Sequence, residues 1–283
     1  MPRYHQPSYT NVRFGGPLTN AVKLLITANA SVFILQWLLE IGGMSPGSFW
    51  TLFGLVPARV LGSGMIWQVG TYLFFHANAF HILFNMLALW MFGGDVEREW
   101  GERKFLLYFF VTGIGAGLCI LATAAFTEMF GMRATGYFSP TIGASGAIFG
   151  ILLAFGMLFP NREVLVFFVF PMKAKHFVLL FGLIELYLAV PARGGGVSHF
   201  AHLGGLLFGY LFMRYESRLG RRYAGYKVRK REMDMRRQVE NELSRDEFIK
   251  SEIDPILDKI SRQGMGSLSW RERRILKKGR PRR

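Results

Sequence analysis

Gly143-Ala144-Ser145-Gly146 sets a serine among small residues where a polar, glycine-rich stretch gives way to an apolar run. Further along, Ala201-His202-Leu203-Gly204-Gly205 carries an imidazole into a second apolar run. Polar groups inside membrane-type segments are expensive and mark function by default. Together, these two are candidates for a nucleophile and the base that takes its proton. The glycines beside Ser145 permit a tight turn and a close backbone approach. A helix beginning at Ser145 also turns unpaired amides and its positive dipole end toward a developing oxyanion. The same small residues suit plain helix packing in a membrane equally well. The soluble-hydrolase elbow G-x-S-x-G does not fit, because position 147 is alanine.

His202 is followed by Gly205 and Gly209, a G-x-x-x-G pair that lets a neighbouring helix come close. If that neighbour is the Ser145 helix, the ring reaches the hydroxyl. His199 shares roughly the same face and ranks second as base. His81 and Asn85, spaced i, i+4, share one face of a third apolar segment. They lack a third ligand and the H-E-x-x-H pattern, so no metal is expected. Side-chain N–H donors for an oxyanion suit them better; the alternative is a polar pair bonded to nearby backbone. His76 either joins them or is a loop residue.

These groups need elements to hold them. The chain has 283 residues, 51% hydrophobic, with 27 Phe, and its mean hydropathy is +0.24. That composition fits a polytopic membrane protein better than a soluble domain. Residues 214–283 hold 22 Lys/Arg against 11 Asp/Glu, so +11 of the total +15 lies in the tail and +4 in the first 213 residues. The single cysteine, Cys119, rules out an internal disulfide or a cysteine metal site. The polar N-terminus shows no cleavage site, so the first apolar stretch is expected to be retained.

Apolar runs mark six spans, at residues 21–41, 81–93 (starting near Ala79), 104–126, 145–159, 175–190 and 198–213. Several fall short of the about 20 residues a full crossing takes, which predicts a compact all-α six-helix bundle with recessed ends. Pro160 and Pro191 follow the fourth and fifth spans, as proline commonly follows a helix end. Basic residues cluster before span one, between two and three, between four and five, and after six, which predicts both termini in the cytoplasm. Spans two, four and six then run from the outer face inward, bringing His81, Asn85, Ser145 and His202 to similar depth. Residues 42–80 form a long apolar loop whose tryptophans suit the membrane interface.

In combination, His81-Ile82-Leu83-Phe84-Asn85, Gly93-Gly94-Asp95-Val96-Glu97, Gly143-Ala144-Ser145-Gly146 and Ala201-His202-Leu203-Gly204-Gly205 with Gly209 resemble the rhomboid intramembrane serine proteases over about residues 20–213. The resemblance implies a Ser145–His202 dyad without a catalytic carboxylate and without a cofactor. It also implies an oxyanion site from His81, Asn85 and backbone N–H groups near Gly143 and Ser145. Glu97 becomes a structural tie at the end of span two. Substrates would be membrane proteins, cut near the outer end of a transmembrane segment. Two positions depart from the family pattern. Trp67-Gln68 stands where Trp-Arg is frequent, and Phe149 stands where tyrosine often stacks on the catalytic histidine. Neither removes a reacting group.

Glu185 in span five is expected to pack through hydrogen bonds, because the resemblance supplies no carboxylate to the dyad. Gly194-Gly195-Gly196 is either a hinge or a plain flexible loop. Domain boundaries are expected at 1–20 (cytoplasmic), 21–213 (catalytic core) and 214–283 (basic cytoplasmic tail). The first part of the tail, 214–237, suits anionic lipid headgroups rather than nucleic acid. Ile253, Ile256, Leu257 and Ile260, then Leu268, Trp270, Ile275 and Leu276, predict a small helical hairpin. A prokaryotic cytoplasmic membrane is the expected location. The competing functions are a catalytically silent rhomboid-like client binder and a six-span transporter lined by the same polar residues.

Overall fold

The computed structural model describes residues 15–131, 136–166, 169–189 and 197–278. Among the described residues, three helical stretches, Asn20–Ile41, Ala79–Trp100 and Glu102–Met129, are long and apolar enough to cross a membrane. In chain order the elements are α1 (Asn20–Ile41), α2 (Pro46–Phe53), α3 (Pro57–Ser63), α4 (Gln68–Thr71) and a 3-10 turn (Tyr72–Phe74). Next come α5 (Ala79–Ala88), a π turn (Leu89–Gly93), α6 (Gly94–Trp100), α7 (Glu102–Met129) and α8 (Ser145–Leu158). A hairpin of β1 (Glu163–Val166) and β2 (Phe170–Lys173) leads into α9 (Ala174–Leu188) and α10 (Val197–Phe248). A second π turn (Ile249–Ile253) precedes α11 (Asp254–Gln263), a 3-10 turn (Met265–Ser267) and α12 (Trp270–Lys278). The chain divides into two compact units, Met1–Tyr215 and Glu216–Arg283.

In the first unit, α7 is the central post. Its buried face, Phe105, Tyr108, Phe109, Thr112 and Ala116, lies against the core. α1 and α9 instead expose Leu24, Ile34, Leu35, Leu38 and Leu179, Leu183, Leu186, apolar surface that lipid rather than water would cover. The loop expected at 42–80 is ordered by two prolines at first helical positions, Pro46 and Pro57, where a missing N–H costs nothing. Gln68 is fully buried in this loop. Its Oε1 accepts the Val56 amide at 3.0 Å and its Nε2 donates to the Thr51 carbonyl at 2.9 Å. A neutral amide thus pins the loop, and no charge is used there. Leu55 and Thr141 exchange two backbone bonds of 2.9 Å, tying the same loop to the segment that enters α8.

Two expectations need correction. The chain is not wholly α: β1 and β2 pair antiparallel, Glu163 opposite Lys173 through Val166 opposite Phe170. Pro171 tolerates this because a two-stranded ribbon is all edge. The last predicted span stops at Met213 only in hydropathy, since α10 continues to Phe248 through Arg, Lys, Glu and Met, all good helix formers. The Gly194–Gly196 stretch, read as either a hinge or a plain loop, lies outside the described residues, as do Pro191 and residues 1–14.

The second unit holds the C-terminal part of α10 and the short amphipathic helices α11 and α12. Ile256 and Leu268 are buried, and Lys259 Nζ meets Glu272 Oε1 at 2.9 Å. Glu272 also accepts the Ser269 amide at 2.7 Å while Ser269 Oγ accepts the Glu272 amide, a reciprocal capping box that starts α12. Lys259 and the Ser269 amide hold the Glu272 carboxyl down to about 2.

Candidate active site

Ser145 is the first residue of α8, and the turn before it is made by Gly143 at φ +120°, a backbone conformation that favours glycine. A Cβ on Gly143 would also lie 2.7 Å from His81 Nε2, so the absence of a side chain lets that ring sit against the turn. The expected oxyanion role of the Gly143 amide is corrected by its partner. That N–H donates to the Tyr72 carbonyl at 2.9 Å and is already engaged. Amides in the first turn of α8 lack a carbonyl of a preceding turn, and they are the backbone donors that remain.

α10 approaches α8 by backbone contact. A Cβ on Gly205 would fall 1.9 Å from the Gly146 carbonyl oxygen, and one on Gly209 would fall 2.5 Å from Tyr108 Oη. Gly146 in turn has room only for hydrogen beside Ala116 of α7, where a Cβ would lie 2.6 Å away. Tyr108 and Tyr72 close the junction by donating to the Gly150 and Gly113 carbonyls at 2.7 and 2.6 Å. Small residues on three helices thus set the spacing, and two tyrosine hydroxyls lock it.

This packing brings His202 Nε2 to 2.8 Å from Ser145 Oγ. Phe149, one turn after the serine, stacks on the imidazole at 4.3 Å between centroids and 12° between planes. His199 lies on the same face of α10, edge-on to His202 at 6.4 Å, and its Nδ1 contacts Glu185 Oε2 at 2.6 Å. Glu185 is 8% exposed, and its Oε1 stands 2.9 Å from His202 Nδ1. The carboxylate expected to be a packing group therefore has both α10 histidines as partners.

Glu185, His199 and His202 offer ligand atoms that all lie within 4.8 Å of one another. The separations of 2.6 and 2.9 Å are those of hydrogen-bonding partners. Ligands around a tetrahedral ion with bonds of about 2.0 Å stand roughly 3.3 Å apart, so the cluster is spaced as a set of hydrogen-bonding side chains rather than as metal ligands.

Across the cavity, Asn78 Oδ1 caps α5 by accepting the His81 amide at 2.9 Å. The Ala77 amide points at His81 Nδ1 from 3.3 Å. Nδ1 is therefore the acceptor, and the proton sits on Nε2, the nitrogen that faces Gly143. Asn85 Nδ2 spends one N–H on the His81 carbonyl at 2.8 Å and keeps a second. Ser145, His202, His81, Asn85, Gly143 and Phe149 line one cavity of about 580 Å³. His76, fully buried, stands edge-on to His81 at 5.0 Å, and burial followed by that neighbour pushes its imidazole down to about 4.

Glu97 lies apart from this cavity. It accepts the Ala21 and Val22 amides at 2.9 and 3.0 Å and the Thr19 hydroxyl, closing the N-terminus of α1.

Sequence reasoning missed Tyr72 and Tyr108. Buried tyrosines facing glycine-rich helices are the signal that finds such backbone locks.

Comparison with known proteins matches residues 63–219, more than half of the chain, to the Rhomboid domain family. Residues 248–278 match a family of unknown function (DUF6576). Rhomboid protein 1, mitochondrial, of Saccharomyces cerevisiae is 34% identical over 146 residues, 51% of this chain and 40% of its own length. Rhomboid protease GluP of Bacillus subtilis is 28% identical over 183 residues, 62% of this chain and 31% of its own. Rhomboid protease AarA of Providencia stuartii is 29% identical over 203 residues, 66% of this chain and 69% of its own. The chain thus spans less than half the length of the first two.

Proposed function

The chain belongs to the rhomboid family of membrane proteins, and from that premise we propose that it is an intramembrane serine endopeptidase acting on transmembrane segments of other proteins. The observation that carries the reading is the 2.8 Å contact between Ser145 Oγ and His202 Nε2, with the ring held flat on Phe149.

In the proposed reaction, His202 Nε2 takes the Ser145 hydroxyl proton as Oγ attacks a peptide carbonyl. The oxyanion receives His81 Nε2–H, the free N–H of Asn85 and the first amides of α8. His202 then protonates the leaving amine, and water cleaves the acyl-enzyme by the reverse sequence. A helical substrate hides its carbonyls in i to i−4 bonds, so it must unwind locally first. Glycine and β-branched residues near the cut lower that cost.

The proposed membrane body comprises six spans: α1, the Ala79–Trp100 stretch, α7, α8, α9 and the first part of α10. The distribution of basic residues supports cytoplasmic termini. We assign residues 1–20, 21–213 and 214–283 as N-terminal segment, catalytic core and tail, with the basic run after Arg214 meeting anionic headgroups.

Reconstituting the full chain in liposomes with a single-span substrate, followed by mass spectrometry of the fragments, tests the reading. A cut within or beside the substrate span, absent for Ser145→Ala and His202→Ala, is the expected result. Equal cleavage by wild type and Ser145→Ala would overturn the assignment, and client capture unaffected by Ser145→Ala without any cut would point to a silent binder.

A further inference from the structure

We propose that Glu185 is a positioning residue for His202, so that the serine and its base are oriented by a third, acidic group that both α10 histidines hold. This rests on the protease reading above. The two nitrogens of one ring face polar partners on opposite sides. Nε2 faces Ser145 Oγ at 2.8 Å, and Nδ1 faces Glu185 Oε1 at 2.9 Å. His202 Nδ1 is buried and makes no well-aligned hydrogen bond, so Glu185 is the acceptor within reach. Contacts of this kind are often poorly aligned in a free enzyme and tighten when substrate binds.

The chemistry needs that acceptor. For Nε2 to take the serine proton it must carry none, which places the ring proton on Nδ1. A carboxylate opposite Nδ1 favours that tautomer. It also stabilises the imidazolium that forms when the Oγ–H bond breaks and the Oγ–carbon bond forms. The proton stays on His202 Nε2 until the peptide C–N bond breaks, and then leaves with the amine. Glu185 neither gains nor loses a proton.

The cost of the group points the same way. A carboxylate in a membrane helix is expensive unless paired, and such groups persist where they serve a function. Among the described residues, the partners of Glu185 are His199 and His202. The 2.6 Å contact of His199 Nδ1 with Oε2 fixes the carboxylate so that Oε1 is presented to His202. Packing alone would not require both oxygens to face the helix that carries the base. Phe149 restrains the plane of the His202 ring, and Glu185 restrains its rotation within that plane.

The test combines kinetics with the tautomer of His202 in the intact protein. ¹⁵N-histidine NMR of the detergent-solubilised wild type, with His202 assigned by comparison with His202→Gln, is expected to show the Nδ1–H tautomer. Glu185→Gln is expected to lower kcat by about 10²-fold or more while KM stays within about twofold. Glu185→Asp is expected to recover part of that loss. A packing role would instead shift thermal stability and KM and leave kcat of the folded fraction alone. Wild-type kcat in Glu185→Gln, or an Nε2–H tautomer of wild-type His202, would overturn the proposal. If Glu185→Gln does not fold, the wild-type tautomer and Glu185→Asp decide. If the wild type cleaves no substrate, the protease reading fails, and the tautomer still supports or overturns the contact.

Discussion

Two buried glutamates of the membrane body differ in what answers their charge. Glu97 in α6 is met by the Ala21 and Val22 amides and the Thr19 hydroxyl, groups that do not titrate. Glu185 in α9 is met by His199 and His202, groups that do. Their exposures are almost equal, 5% and 8%, so burial does not separate them. The partner does. Fixed amides turn a carboxylate into a cap that joins two helices across the chain, whereas imidazoles, one of them touching a serine hydroxyl, give it a lever on proton transfer.

The sharpest way to test this contrast is to move the α10 histidines without touching either glutamate. Gly205→Val places a side chain where the Gly146 carbonyl already stands. Overpacking of that kind costs on the order of 1–3 kcal/mol. A shift of about 1 Å at the reacting groups costs on the order of 10²-fold in rate. Cleavage by the folded fraction is therefore expected to fall far more than its unfolding temperature. Normal kinetics in a folded Gly205→Val would mean that the α8–α10 approach does not set the serine–histidine distance.

A smaller and opposite signature is expected at the other carboxylate. Glu97→Ala leaves two buried backbone donors of α1 unmet, at about 1–3 kcal/mol each. Thermal unfolding in detergent is expected at lower temperature, while kcat of the surviving folded protein is retained. A large kcat loss at unchanged stability would break the distinction between the two glutamates.

The smallest effect concerns His76, which meets no carboxylate among the described residues. Its imidazole is lowered from about 6.5 to about 4, so the unfolded chain binds the extra proton first. The stability this group contributes is present above about pH 6.5 and is lost as pH falls through about 4. His76→Phe is expected to flatten the decline in unfolding temperature over that window, and an unchanged slope would show that the acid sensitivity arises elsewhere.

The sequence makes parts of this legible and hides others for definable reasons. Ser145, His202 and their glycines stand out because small residues and isolated polar groups are conspicuous in apolar runs. The stacking of Phe149 is legible through the family resemblance, which implies an aromatic ring on the histidine one turn after the serine. Glu185 is visible as a polar residue in an apolar helix, but its partners depend on how α9 turns toward α10, which no periodicity encodes. The engagement of the Gly143 amide depends on the Tyr72 carbonyl, and backbone partners leave no mark on residue type. The β1–β2 hairpin is hidden because Pro171 argues against a strand, and the length of α10 because hydropathy changes at Met213 while helix propensity does not.

The central claim is that packing of α10 on α8 makes Ser145 a nucleophile through His202. Treatment of the reconstituted protein with a fluorophosphonate, followed by peptide mass spectrometry, tests it most directly. The account predicts an adduct on Ser145 in the wild type and none in folded His202→Ala. Equal labelling of Ser145 in both proteins, or an unmodified Ser145 in the wild type, would contradict it.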